Sequence, residues 1–229
     1  MKPKIIIVMP AYNAELTLEK TYRDIPQGLV SEIILCDDQS QDRTVEIAKR
    51  LGLTVLLHEK NKGYGGNQKT LYKEALKRNP DIIVILHPDY QYDSKKIPEL
   101  IQPIVGGKAD VVLGSRMTGS GALKGGMPFY KYISNRFLTF CENKALGLNL
   151  SEYHTGLRAY SRDFLEKVRW QDNSDDFLFD AQILIKAARL KLRIAEISIE
   201  TRYFKEASQV GFFAGAKYGI GILWELVKC

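Results

Sequence analysis

The sequence predicts an α/β fold in which a mostly parallel sheet is flanked by helices. Two observations predict it. Five short runs in the first half are rich in β-branched residues and continuously apolar, as strands buried on both faces are. Between them lie stretches whose apolar residues recur at helical spacing, and strands alternating with helices make βαβ units with right-handed crossovers.

The first strand covers residues 4–9 and stops at Pro10. Its apolar run follows a basic start, but it is too short for a signal peptide and lacks a small-residue cleavage pattern. Asn13 stands where it can cap a helix to about Asp24. The second strand is 32–36, and Ser40 or Asp42 can cap the helix that runs to Leu51. The third strand is 54–57 and the next helix covers about 67–78. Between them, Gly63-Tyr64-Gly65-Gly66 has neither Rossmann nor Walker spacing and reads as a tight turn before that helix. Residues 82–86 form the fourth strand. Ile97, Leu100, Ile101 and Ile104 mark the fourth helix, and 110–113 form the fifth strand.

The pattern changes after Arg116. Residues 117–126 hold four glycines and little that could pack, so they read as a mobile loop. Pro128 opens an aromatic-rich helix that Gly147 can close. An extended piece at 156–160, helices near 161–168 and 177–190, and a strand at 194–201 follow. The tail at 211–228 is amphipathic, with Phe212, Phe213, Ile220, Leu223, Trp224 and Val227. No repeat, linker or low-complexity tract interrupts the chain. One domain is expected, its second half built onto the edge of the first.

Apolar residues make up 45% and charged residues 26%, a globular balance that excludes a disordered or fibrous chain. Lys and Arg number 33 against 27 Asp and Glu, a net charge of +6. That excess favours phosphates or an anionic membrane surface without choosing between them. Cys36, Cys141 and Cys229 are too few and too scattered for a disulfide framework or a zinc site, so a reducing, cytoplasmic setting is expected. No apolar run approaches the ~20 residues of a membrane-spanning helix.

Open α/β sheets bind ligands beyond the carboxyl ends of their strands. Those positions hold Pro10-Ala11-Tyr12-Asn13, Asp37-Asp38, His58-Glu59, His87-Pro88-Asp89-Tyr90-Gln91 and Gly114-Ser115-Arg116. A carboxylate after the second strand can accept hydrogen bonds from a base or ribose, although one of the two aspartates could serve as a helix cap. His87, Asp89 and Gln91 alternate, so in extended backbone they point the same way. A carboxylate and an amide oxygen there suit Mg²⁺ or Mn²⁺, and a polar turn explains the same residues equally well. Arg116, Arg158 and Arg202 lie in or after extended segments, where guanidinium forks match phosphate oxygens or simply face solvent.

The residues Pro10-Ala11-Tyr12-Asn13, then Asp37-Asp38-Gln39-Ser40-Gln41-Asp42-Arg43-Thr44 and Pro88-Asp89-Tyr90-Gln91, resemble the motifs of family 2 glycosyltransferases with the GT-A fold. Gly114-Ser115-Arg116, Ser134-Asn135-Arg136, Thr155-Gly156-Leu157-Arg158-Ala159-Tyr160 and Arg202 extend the similarity toward the dolichyl-phosphate mannose synthase-like branch. The resemblance implies a single Rossmann-like GT-A domain over 1–229. Residues 1–116 would form the nucleotide-binding half, and 117–229 the acceptor-side half with its amphipathic C-terminal helix. Pro10, Tyr12, Asn13, Asp37 and Asp38 would bind the nucleoside, with Glu15 near them. Asp89 and Gln91 would hold Mg²⁺ or Mn²⁺. His87 stands where the family has the first aspartate of its Asp-x-Asp, and imidazole can itself ligate Mn²⁺. Asp89, Arg116 and Arg202 would carry the chemistry, the arginines, with Ser134 near them, by holding phosphate.

The implied reaction is an inverting, metal-assisted transfer of a sugar from a GDP- or UDP-linked donor to a polyprenyl or dolichyl phosphate. A saccharide or protein hydroxyl is the alternative acceptor, for which Asp175, Asp176 and Asp180 are candidate bases. Binding of a nucleotide sugar without turnover is the alternative activity. A nucleotidyltransferase would want a glycine- and arginine-rich loop after the first strand, which this chain lacks. No nucleic-acid partner is expected. Localisation is expected to be cytoplasmic, with peripheral contact to the cytoplasmic membrane face through the aromatic helix and the tail.

Overall fold

The computed structural model describes residues 2–26, 28–118, 121–204 and 211–228. Seven strands form one sheet: β1 (Ile5–Ala11), β2 (Glu32–Asp37), β3 (Thr54–Leu57), β4 (Ile82–Ile85), β5 (Val111–Ser115), β6 (Arg158–Ser161) and β7 (Ile194–Ser198). Their order is β3-β2-β1-β4-β6-β5-β7. Every neighbouring pair is parallel except those of β6, which runs antiparallel to both β4 and β5. The second half is therefore not added at the edge. One of its strands is inserted between β4 and β5, and only β7 lies outside.

Alternate residues of a strand face opposite sides of a sheet, so the continuous run in β1 feeds two cores. Ile5, Ile7 and Met9 pack with Leu18, Ile47, Leu100 and Ile101, from α1 (Leu18–Arg23), α2 (Thr44–Arg50) and α4 (Ile97–Val105). Ile6 and Val8 pack on the other face with Leu71, Tyr72, Phe164 and Phe179. These come from α3 (Gly63–Leu76), α7 (Arg162–Lys167) and α8 (Phe179–Arg189). The sheet is covered on both sides, which leaves the strand ends as the place for a cleft.

Three local expectations are corrected. Asn13 does not cap α1, which starts at Leu18. Asn13 sits at φ +51° and ties two strand-end loops together, donating its N–H to Ser40 Oγ (2.8 Å) while its Oδ1 accepts from Gln41 N (2.8 Å). The Gly-Tyr-Gly-Gly run is not a turn before α3 but its first turn. A Cβ on Gly65 would lie 2.3 Å from the Ser174 carbonyl oxygen, so glycine permits the close approach of that segment. The glycine loop after Arg116 holds a short helix, α5 (Gly121–Lys124). Met117, Ala122 and Met127 are buried there against Tyr132 and Tyr203. Residues 119–120 of that loop, the side chains of Phe212 and Phe213, and Cys229 lie outside the described residues. Among the described residues Cys36 and Cys141 are free thiols.

The long helix α6 (Phe129–Leu146) is closed by Gly147 in the left-handed region at φ +66°. The tail forms α9 (Phe212–Val227), which packs on α6 and α8 through Ile222 and Leu226. Among the described residues no helix is long and apolar enough to cross a membrane.

Candidate active site

A cleft of about 890 Å³ opens over the carboxyl ends of the strands. Pro10, Tyr12, Asn13, Asp38, His87, Asp89, Gln91 and Arg116 all line it, although they come from four separate strand ends. Asp37 and Arg202 are not among its lining residues. The Asp37 carboxylate turns to Ser40, accepting its backbone N–H at 2.9 Å and its hydroxyl proton. The Asp38 carboxylate is also engaged within the protein. It accepts from Lys62 N (2.8 Å) and Gly63 N (3.0 Å) at the start of α3, and it lies 2.7 Å from His58 Nδ1. Sequence reasoning placed both aspartates at the right strand end, where they organise the loops that shape the cleft.

Asp89 is partly buried, and loss of water pushes its carboxyl pKa up; the same surroundings push that of the partly buried His87 imidazole down. A cation beside Asp89 would offset that penalty. Asp89 and Gln91 offer two oxygens, which suits a hard divalent ion that completes its shell with substrate phosphates and water. Among the described residues no group of three or more His, Cys, Asp and Glu side chains is placed to hold a metal by itself. The chain's own donors thus fit an ion that arrives with a diphosphate.

Arg116 is the most heavily bonded side chain of the cleft. Its Nε donates to Glu152 Oε1 (2.8 Å), its Nη2 to the same carboxylate and to the His154 carbonyl (2.8 Å), and its Nη1 to the Tyr203 hydroxyl (3.0 Å). Glu152 is fully buried. Burial alone would raise its pKa, but the Arg116 guanidinium reverses this and holds it below the usual carboxylate range. Arg202 lies elsewhere, with its guanidinium 4.4 Å from the centre of the Tyr90 ring and 3.9 Å from Asp93. Arg158 is core rather than surface. It is 1% exposed and donates to the carbonyls of Tyr153, Thr155 and Asp180.

Of the three candidate bases, Asp175 pairs with Lys69 and Asp176 caps the turn at Leu178 N. Asp180 alone lines the cleft, and its carboxylate already accepts from Tyr64 (2.7 Å) and Gln68 (3.0 Å). Sequence reasoning missed Tyr64, Glu152, His154 and Tyr203. Each acts through a partner distant in sequence, and the Gly-Tyr-Gly-Gly run was the one local sign of Tyr64.

The far wall of the cleft is apolar. Phe137 and Leu138 of α6 and Ile220 and Leu223 of α9 line it. Beneath them His154 stands between Glu142 (3.2 Å) and the Tyr218 hydroxyl (3.1 Å).

A mostly parallel, doubly covered sheet with a polar cleft at its strand ends defines an open α/β protein that takes its ligand at those ends. The profile described as glycosyl transferase family 2 matches residues 6–169, so the chain belongs to that family of glycosyltransferases. It is 31% identical over 226 residues to an uncharacterised protein of Methanocaldococcus jannaschii, covering 99% of this chain and 92% of that one. It is 30% identical to the UDP-N-acetylglucosamine–dolichyl-phosphate N-acetylglucosaminyltransferase of Methanococcus voltae, over 87% and 86% of the two chains. Its fold matches glucosyl-3-phosphoglycerate synthase of Mycobacterium tuberculosis, a structure holding Mn²⁺ and uridine diphosphate. The TM-score is 0.73 at 20% identity, covering 99% of this chain and 79% of that one.

Proposed function

We propose that this glycosyltransferase moves a sugar from a GDP- or UDP-linked donor to a polyprenyl phosphate, with inversion and with Mg²⁺ or Mn²⁺. The observation that carries this reading is the two-sided cleft, polar at the strand ends and apolar between α6 and α9. An acceptor with an anionic head and a hydrocarbon tail matches both sides. The M. voltae relative, named for transfer to dolichyl phosphate, supports it.

Pro10, Tyr12 and Asn13 would flank the nucleoside, with Asp37 and Asp38 fixing the loops around it. An acceptor phosphate oxygen bonds to the anomeric carbon as that carbon's bond to the donor diphosphate breaks, the electron pair leaving on the diphosphate. The attacking oxygen is already anionic, so no base is needed, which agrees with the engagement of Asp180 by two donors. A divalent ion held by Asp89 and Gln91 would neutralise the departing diphosphate. Arg116 faces the same space and retains an N–H at Nη1 for a phosphate, and Arg202 would act from the rim.

Apolar side chains of α6 and α9 stand in solvent, among them Phe129 (68% exposed), Phe140 (63%) and Trp224 (62%). They would rest on the cytoplasmic face of a membrane, where the lipid acceptor lies.

The test is transfer from a set of nucleotide sugars to a short-chain polyprenyl phosphate, with and without Mn²⁺, alongside thermal-shift measurement of donor binding. Transfer to the lipid phosphate, abolished in Asp89→Ala without loss of the fold, is the expected outcome. Transfer to a sugar hydroxyl instead overturns the acceptor. Donor binding with no transfer to any acceptor overturns the activity.

A further inference from the structure

The His87 ring is locked by groups that line the cleft but belong to other elements. It stacks on Tyr64 with ring centres 5.4 Å apart and planes 4° from parallel. A Cβ on Gly156 would lie 2.8 Å from its Cδ2 and 3.0 Å from its Nε2, so the ring fills the space a side chain there would take. Its Nε2 is 3.1 Å from the Tyr64 hydroxyl oxygen.

The same hydroxyl lies 2.7 Å from Asp180 Oδ2. Asp180 is the counter-ion of the buried Arg158 guanidinium, 3.4 Å away, and also accepts from Gln68. A phenol has one proton, and an ionised carboxylate can only accept. The Tyr64 proton therefore lies on the bond to Asp180, and Nε2–H of His87 must donate to the Tyr64 oxygen. A neutral ring so engaged carries its lone pair on Nδ1, and no described group makes a hydrogen bond to that nitrogen.

We infer that Asp180 and Tyr64 are positioning residues that fix the His87 tautomer so that Nδ1 can ligate the divalent ion beside Asp89 and Gln91. This rests on the reading of that trio as the metal site. It also gives the Gly-Tyr-Gly-Gly turn a purpose, since the close approach at Gly65 brings Tyr64 beside α8, where Asp180 sits. Carboxylate partners commonly orient metal-ligating imidazoles in this way.

The chain has only three histidines, so ¹⁵N NMR of the imidazoles can assign each tautomer in the metal-free protein near neutral pH. His87 is expected as the Nε2–H form. Mn²⁺ is then titrated, in the presence of GDP and separately of UDP, into wild type, Tyr64→Phe, His87→Ala and Asp89→Ala, with free ion followed by electron paramagnetic resonance against the same nucleotide without protein. Tyr64→Phe and His87→Ala are each expected to weaken Mn²⁺ binding about 10- to 100-fold. An Nδ1–H tautomer in wild type overturns the inference without any variant having to fold. So does unchanged Mn²⁺ affinity in Tyr64→Phe or His87→Ala while Asp89→Ala still loses the ion, an outcome that leaves the metal site itself standing. If Asp89→Ala binds Mn²⁺ like wild type, the metal site falls, and the inference with it.

Discussion

Arg116 and Glu152 form a pair whose two members are worth most together. Glu152 is fully buried, so Glu152→Ala leaves a guanidinium without its counter-charge, and we expect a loss of about 3–5 kcal/mol in denaturant unfolding. Glu152→Gln keeps the shape and should lose less. The motif reading found Arg116 but not its partner, because nothing local in the sequence links positions in different halves of the chain. Asp110 offers a contrast near the surface. Arg193 donates to its carboxylate through Nη2 (2.7 Å) and Nε (3.1 Å), and these bonds hold the Asp110 pKa below its ordinary value. The folded pKa is thus lower than the unfolded one of about 3.9, so the pair stabilises the fold above that pH. The contribution is lost as pH falls through the lowered folded value. Arg193 is more than half exposed, so Asp110→Asn should cost only about 0.5–1 kcal/mol at neutral pH. The same variant should flatten the acid limb of a stability–pH curve, measured by urea unfolding from pH 7 down to 2.

At the scale of elements, glycines in α3 and α9 do opposite things. In α3, a methyl group on Gly65 would meet the Ser174 carbonyl oxygen and the Phe179 Cβ at 2.9 Å, neither of which can swing aside. Gly65→Ala should therefore destabilise by about 1–3 kcal/mol and loosen the seat of Tyr64. In α9, a Cβ on Gly215 meets nothing within 4 Å, so Gly215→Ala should stabilise by up to about 1 kcal/mol in thermal melts. The strands were legible because β-branched runs buried on both faces have no other reading, and α6 because Pro128 and Gly147 punctuate it. The start of α3 was not legible, since three glycines in four residues spell a turn unless the segment packed against them is known. The insertion of β6 was equally hidden, because strand order depends on pairing between distant segments and leaves no local pattern. The cleft was readable as a list of strand-end residues. What each does was less so: Asp37 bonds Ser40 in its own loop, but Asp38 reaches His58 and the start of α3, and partners that distant cannot be seen in its neighbours along the chain.

For the whole molecule, the exposed aromatic faces of α6 and α9 and the net charge of +6 act in the same direction under the lipid-acceptor reading. The protein should co-sediment with vesicles containing anionic lipid, less so as salt rises. Phe140→Glu and Trp224→Glu should each lower that binding about tenfold while leaving donor affinity unchanged, because neither lines the cleft. The position of β6 bears on how such a chain is made. As the polypeptide leaves the ribosome, β1 to β4 can pair among themselves, but both neighbours of β5 are synthesised after it. A nascent chain ending at residue 116 must hold β4 with an open edge and β5 with nothing to lie against. Residue 116 is therefore not a point at which folding can pause, and sheet closure waits on long-range contacts that form slowly.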